Sequence, residues 1–512
     1  MRPSEAAGSE RATTLADGDR RADRQLATVP PSTFSATAKQ HAVALAVLVA
    51  SLTAGAALRL WLAFSDDGVH WPDEIYQTLE PAHRAAFGYG LLAWEFLEGA
   101  RNWTLPGLIA GILKLAQALG LESPRAYLPL VRLLFCAVGV ATAAIVFRFA
   151  RSAGASRLAA SCGSACFSLM SIAIYFAPRA MSETASALAA AWGLELCQPS
   201  ANPSRSRLWR GASLLGLAVL FRLQCAMFCA GVLIVFLVRR DRRQFLEALL
   251  VFGAWAFVYG LIDRLTWGTW FHSAFVYLRF NVFEGGSVRF GRSPPGYFTL
   301  ALLHTVGPLC AVGAGLVLLA VRRARALFGI ALLFFIPHWI SPHKELRFLF
   351  PLVPLWCVLA AVGLQSLLES RRHWIGAATV VAMLAMAVYS AASFRHLTYA
   401  QFGLPQIQAM SALDAGGPEN RLLLAAHGAP ELCGLKVMSQ ELDYLGGFSY
   451  LHRRVPLYGP GGPPDESRHF NYAIAARNAV SGKVVAEDSG LVLARLFDGS
   501  CEPDRNYNWH LN

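Results

Sequence analysis

The sequence predicts an α-helical polytopic membrane protein of about eleven transmembrane helices, followed by a small external C-terminal domain of α/β or β-rich type. Three observations carry that prediction. Of the 512 residues, 55% are hydrophobic and 15% charged, well away from the averages of soluble globular proteins. Apolar runs of roughly 17 to 25 residues, enough to cross about 30 Å of hydrocarbon, recur from Ala42 to about Phe394. Short basic clusters alternate with those runs, so the net charge of +12 reads as membrane topology and not as a nucleic-acid-binding face.

Residues 1–41 are polar, rich in Ala, Ser, Thr and Arg, without a periodic apolar face. They read as a disordered cytoplasmic tail and not as a secretory signal. The membrane domain then covers 42–394, starting with a span at 42–64 and a first external loop with surface helices at 65–125. Basic clusters follow at Arg148/Arg151/Arg157, Arg205/Arg207/Arg210, Arg239/Arg240/Arg242/Arg243, Arg322/Arg323/Arg325 and Arg371/Arg372/His373. If all five face the cytoplasm, each interval between them holds an even number of crossings. The runs at 158–176 and 181–197 make one such pair, the stretch 211–238 broken at "FRLQ" a second, and the runs on either side of a long external loop a third. The fourth turns outside at "SPHKELR", and 375–394 carries the chain out. A span at 104–121 would invert every later basic loop, so that segment reads as an external helix in or on the membrane surface.

This topology gathers Pro72–Asp73–Glu74, Arg179, Glu183, Arg222, the loop around Asn281 and "HKELR" (343–347) on the external face. Ionisable groups at the edge of hydrocarbon are functional candidates, although Arg59 and Arg179 taken alone read equally well as snorkelling anchors. Pro72 suits the first turn of a helix and Asp73 and Glu74 suit its positive end, which by itself is no more than an acidic helix start. On α-helical spacing Asp73, Gln77, Glu80 and Arg84 share one face. Ile75, Leu79, Ala82 and Ala86 share the other, which would rest on the membrane.

The run "PDEIYQTLEPAHRAAFGYGLLAWEF" followed by Arg101, and the distal "HKELRFLFPLVPL", resemble the two signature regions of glycosyltransferase family 22, the polyprenyl-phosphate-mannose-dependent mannosyltransferases. The nearest likeness is to the branch of GPI mannosyltransferase III. The resemblance covers about 59–364 and includes "RAMSETA" and "FVYLRFNVFEGGSVRFGRSPPGYF". Trp71, Arg222–Leu223 and "WEF" depart from the family pattern, and the Ala/Arg-rich composition looks bacterial.

The resemblance implies a fold of the GT-C glycosyltransferase type and transfer of a mannosyl or other hexosyl unit, with inversion, from a polyprenyl-phosphate donor to a lipid-linked or glycan acceptor. It puts the base on Asp73, with Glu74 the alternate. A phosphodiester is already a good leaving group, so one base and no acid is required. His343, Lys344, Arg347 and Arg222 are the candidates for the departing phosphate, and Glu345 for orienting Lys344 or Arg347. Gln77, Glu80, Trp94, Glu95, Arg101, Arg179 and Asn281 complete the orienting or substrate-binding set. No residue set indicates a metal or another cofactor, and the expected partners are the lipid-phosphate donor, the acceptor and membrane lipid, with no nucleic acid.

The tail, 395–512, holds β-like runs "RLLLAA", "KVVAED" and "LVLARLF" between Gly/Pro-rich turns, and its Cys433 and Cys501 would pair in an oxidising compartment. The expected location is a bacterial inner membrane with the site on the periplasmic face, or the endoplasmic reticulum lumen in a eukaryote. The competing class is a lipid or glycolipid transporter or flippase without transferase activity. Internal repeats and broken helices at mid-membrane would mark it, whereas here the ionisable groups gather at one face.

Overall fold

The computed structural model describes residues 31–69, 71–199, 204–307, 310–393, 413–464, 467–502, 504 and 506–508. Five helices are long and apolar enough to cross a membrane: Lys39–Ser65, Pro124–Ser152, Arg242–Trp267, Leu346–Leu368 and His373–Ala392. Shorter helices lie between them, at 157–175, 182–197, 205–221, 223–238, 297–306, 310–320 and 325–340. The chain is a multi-pass membrane protein with five helices of spanning length among the described residues. The first helix begins at Pro31, ahead of the expected boundary at 42, and the rest of the expected tail lies outside the described residues.

Polar contacts separate the two ends of the bundle. Glu195 meets Arg148 at 3.5 Å and Arg207 at 3.7 Å, the Ser156 amide donates to Gln365 Oε1 at 2.8 Å, and Arg323 pairs with Glu369. These loops hold the basic clusters. At the opposite end Arg179 meets Asp66 and Arg222 meets Glu183, both at 2.8 Å. Close helix packing depends on small residues: a Cβ on Gly363 would lie 1.9 Å from Leu316 O, so only glycine fits there. Outward-facing Leu246, Leu250, Phe257 and Leu265 leave an apolar surface for lipid.

The loop after the first helix forms α2 (Pro72–Glu74), a π-turn (Ile75–Leu79), α3 (Glu80–Phe87), α4 (Trp94–Leu97) and α5 (Thr104–Ala118). The segment expected to lie outside the bundle is α5. Its Leu105, Ile109 and Leu113 pack with Ile75, Leu79, Ala82 and Ala86 in one core, while Leu108, Leu115 and Leu119 stay exposed. The apolar face of the 72–87 helix therefore meets protein and not the membrane surface expected for it.

The C-terminal part is α/β. Its five-stranded mixed sheet runs β2-β1-β3-β5-β4, from β1 (Leu435–Val437), β2 (Leu457–Tyr458), β3 (Tyr472–Ala476), β4 (Lys483–Asp488) and β5 (Leu491–Arg495). Strand β1 is parallel to β2 and β3, and β5 is antiparallel to β3 and β4. Ser489 and Gly490, both at positive φ (50° and 85°), make the two-residue hairpin turn that suits strand twist. "KVVAED" and "LVLARLF" supply β4 and β5, whereas "RLLLAA" belongs to a helix, Gly417–Ala426. Pro418 in its first turn and the helical spacing of Leu422, Leu423 and Ala426 toward the core decide that outcome. Cys433 and Cys501 form a disulfide.

Candidate active site

Trp71 is extended and Pro72 takes the first helical position, so the acidic pair enters at the positive end of a helix. Neighbours on a helix diverge by about 100°, and Asp73 and Glu74 point to different places. Asp73 lines a cavity with Gln77, Arg101, Asn102, Glu183, Arg222, Gln224, Tyr259 and Tyr277. Glu74 is buried in a second polar cluster, 4.0 Å from Arg179 and beside Arg132 and Tyr450. Past Gln77 the α register fails, because the Glu80 amide bonds Ile75 O in a π-turn. Asp73 and Gln77 keep the cavity face, while Glu80 and Arg84 leave it.

A chain of charges closes over Asp73. Arg347 pairs with Asp73, meets Glu345 through Nε at 2.5 Å, and lies 3.4 Å from Glu183. Glu183 also holds Arg222 at 2.8 Å, so one carboxylate bridges two guanidinium groups. Both arginines are buried, at 6% and 5% exposure, and both lie against the ring of Phe348, at 5.2 Å and 5.6 Å. Arg347 also stands 5.7 Å from the ring of Trp71, which gives that departure from the family pattern a place in the site. Burial would raise the Glu345 carboxyl, but Arg347 and the bond from His343 outweigh it and hold it down at about 2. The cavity is about 40 Å³, room for a few waters.

The Alg9-like mannosyltransferase model matches residues 51–427, a span that contains both Asp73 and Arg347. The chain belongs to the Alg9-like mannosyltransferase family. It is 31% identical to GPI mannosyltransferase 3 of Yarrowia lipolytica over 337 residues, 62% of this chain and 63% of that protein. It is 26% identical to GPI alpha-1,2-mannosyltransferase 3 of Danio rerio over 433 residues, 82% of this chain and 78% of that one. The matched stretch is thus under two thirds of the length of the Yarrowia relative. Among solved structures, ArnT from Cupriavidus metallidurans in the apo state is similar at TM-score 0.56 and 14% identity, covering 90% of this chain and all of that one. The Archaeoglobus fulgidus oligosaccharyltransferase is similar at TM-score 0.53 and 13% identity, covering 81% of this chain and 64% of that one. These neighbours fix the fold as GT-C.

In this member of the Alg9-like family the remaining expected residues fall into three groups. Gln77 donates to Glu95 Oε1 at 2.8 Å, and burial raises the Glu95 carboxyl against the opposing pull of Arg101. Arg101 lies over the Tyr277 ring at 5.8 Å with its buried Nε lacking a hydrogen-bond partner. These three stand around Asp73. His343 and Lys344 lie behind Arg347: His343 bridges Gly291 O and Glu345, and Lys344 Nζ donates to Ser341 O at 2.6 Å. Lys344 therefore braces the turn.

The third group stands apart from the cavity. Glu80 is fully buried against the C-terminal domain, Arg179 belongs with Asp66 and Glu74, and Asn281 donates to Tyr277 O in its own turn. Trp94 packs on Phe280 with centroids 4.6 Å apart. Arg59, wholly buried, donates to Gly55 O and Ser168 O and so is no interfacial anchor.

Gln224, Tyr259 and Tyr277 line the site without having been expected there, and Glu183, a candidate by its place in the chain, had been given no role. Glu183 had a signal, an acidic side chain in the same external turn as Arg179. The two tyrosines had none beyond their place near helix ends.

Proposed function

We propose that the protein is an inverting hexosyltransferase that moves a mannosyl unit from a polyprenyl-phosphate donor to a hydroxyl of a lipid-linked or glycan acceptor. Asp73 and Arg222 line one cavity and Arg347 joins them through Asp73 and Glu183, the observation that supports this reading most directly. Family membership supports the sugar. A crystal structure of ArnT, a protein of like fold, holds undecaprenyl phosphate, which supports the donor class.

The donor phosphate competes with Asp73 for Arg347. Once Arg347 turns to the phosphate, Asp73 is free to accept the proton of the acceptor hydroxyl. The hydroxyl oxygen forms the new bond to the anomeric carbon while the bond from that carbon to the phosphate oxygen breaks on the opposite side. The departing polyprenyl phosphate gains negative charge, and fixed guanidinium groups lower the energy of that change. Exposed Phe275, Val282, Phe283 and Phe290 give the polyprenyl tail an apolar bed beside the site. The site would face the periplasm in a bacterium or the endoplasmic reticulum lumen in a eukaryote.

The test is transfer from polyprenyl-phosphate-mannose to a panel of lipid-linked glycans by purified protein, with product anomericity read by NMR. Transfer with inversion is expected, and its loss in Asp73→Asn. No transfer from any lipid-phosphate sugar, together with movement of such lipids across vesicles, overturns the proposal in favour of a transporter.

A further inference from the structure

The face of the 72–87 helix opposite Asp73 is held by the C-terminal domain. Tyr76 OH donates to Leu442 O at 2.5 Å. Glu80 Oε1 accepts from the Ser449 amide at 2.5 Å and from its hydroxyl at 2.6 Å, and Glu80 Oε2 accepts from the Leu91 amide at 2.8 Å. His83 Nδ1 faces Tyr89 O, so its proton sits there and Nε2 accepts from His452 Nδ1 at 2.9 Å. Backbone complementarity matches these bonds: Gly447 sits at φ 55°, and a Cβ there would lie 2.9 Å from Glu80 Cδ. Ile75, Leu79 and Ala82 share one hydrophobic core with Leu423, Leu435, Phe448, Leu451 and Ile474. The sheet domain and the helix carrying Asp73 are one packing unit.

Resting on the proposed transfer reaction, we propose that Glu80 is a positioning residue through which the C-terminal domain fixes the π-turn, and with it the direction in which Asp73 faces the cavity. A π-turn leaves its register to the surroundings, because its wider i→i+5 ring is held by fewer intrinsic preferences than an α-helix. Glu80 is the residue whose amide closes that ring and whose side chain is clamped by Ser449. Every one of its three partners is a donor, so the clamp uses both Glu80 oxygens as acceptors, a role a carboxyl oxygen fills in either protonation state and an amide nitrogen does not.

Positioning by an acceptor pair separates Glu80 from the phosphate-binding cations. Glu80→Gln keeps the volume but turns one acceptor into a donor, and Ser449→Ala removes one donor from the other side. In full-length protein, both variants are expected to lower kcat, about 10-fold or more for Glu80→Gln, with the donor KM unchanged. The double variant is expected to cost no more than Glu80→Gln alone, as for two halves of one contact. An activity-independent readout runs beside it: hydrogen exchange at 75–80 rises in Glu80→Gln while the membrane helices keep their protection.

Unchanged exchange at 75–80 overturns the positioning role, as does additivity of the two substitutions or a parallel change in kcat and KM. Loss of transfer in the unsubstituted protein with exchange still rising at 75–80 would sink the transferase reading alone. A Glu80→Gln protein that does not fold leaves Ser449→Ala to decide, and full kcat with unchanged exchange there also overturns the inference.

Discussion

Arg347, near the start of the helix at 346–368, and Asp73, in the loop after the first helix, form an ion pair beside one cavity, and Glu345 and Glu183 place two further carboxylates on the same guanidinium. In the proposed mechanism the donor phosphate competes with Asp73 for Arg347 and so opens this pair.

Asp73→Asn keeps shape and loses the proton acceptor. Transfer is expected to fall about 100- to 10,000-fold, the usual range for losing a general base, while Glu345 and Glu183 still hold Arg347 and limit the loss of stability. Glu74→Gln is expected to do the reverse, because Glu74 faces Arg179 in the second cluster. Single-turnover rates and thermal unfolding of both variants check the assignment, and a larger rate loss in Glu74→Gln would exchange their roles.

Arg347→Ala leaves Asp73 and Glu345 without their buried cation. Removing one partner of a buried pair costs about 3–5 kcal/mol. The Arg347→Ala/Glu345→Gln double variant should recover part of that stability and none of the activity. Denaturation in detergent gives the first quantity and the transfer assay the second.

Three groups at the domain contact titrate, Glu80 with one sign and His83 and His452, both lowered by burial, with the other. Burial pushes the Glu80 carboxyl up to about 7 against its hydrogen bonds from Ser449 and Leu91, so its contribution to stability is present below its ordinary range and lost as pH rises through 7. Burial pushes His83 down to about 3, so its contribution is lost as pH falls below 6.5 toward 3. Between pH 5 and 6 these slopes oppose each other. The phenols of Tyr76 and Tyr89, which also face Glu80, are raised and stay protonated throughout. Glu80→Gln therefore should steepen the rise of stability with pH by about 1.4 kcal/mol per unit in that window. Unfolding temperatures at pH 5 and 6 for both proteins measure it, and equal slopes would contradict the assignment.

The Cys433–Cys501 disulfide closes 68 residues of chain. Chain entropy gives such a crosslink about 4 kcal/mol, and Cys501→Ser should loosen the sheet domain accordingly. Because that domain shares a core with the Asp73 helix, the bond also reports the compartment of the site. Mass spectrometry of protein extracted with thiol blocked should find it intact, and a free thiol pair would place the site on the reducing side.

What the sequence determined by itself is what depends on composition and charge along the chain: a helical multi-pass membrane protein, a small sheet domain after its last apolar helix, and the membership signalled by "PDE" and "HKELR". Hydrocarbon length and the cost of charge in lipid act on each segment separately, so they are readable without a fold. Only tertiary structure decided which of two adjacent carboxylates faces the cavity, that a π-turn removes Glu80 and Arg84 from that face, and that Glu183 joins Arg222 to Arg347. It also turned "RLLLAA" into a helix and carried the apolar side of the 72–87 helix into the sheet domain. Those outcomes rest on side chains distant in sequence competing for the same hydrogen bonds and the same buried space, and no local pattern contains the partner.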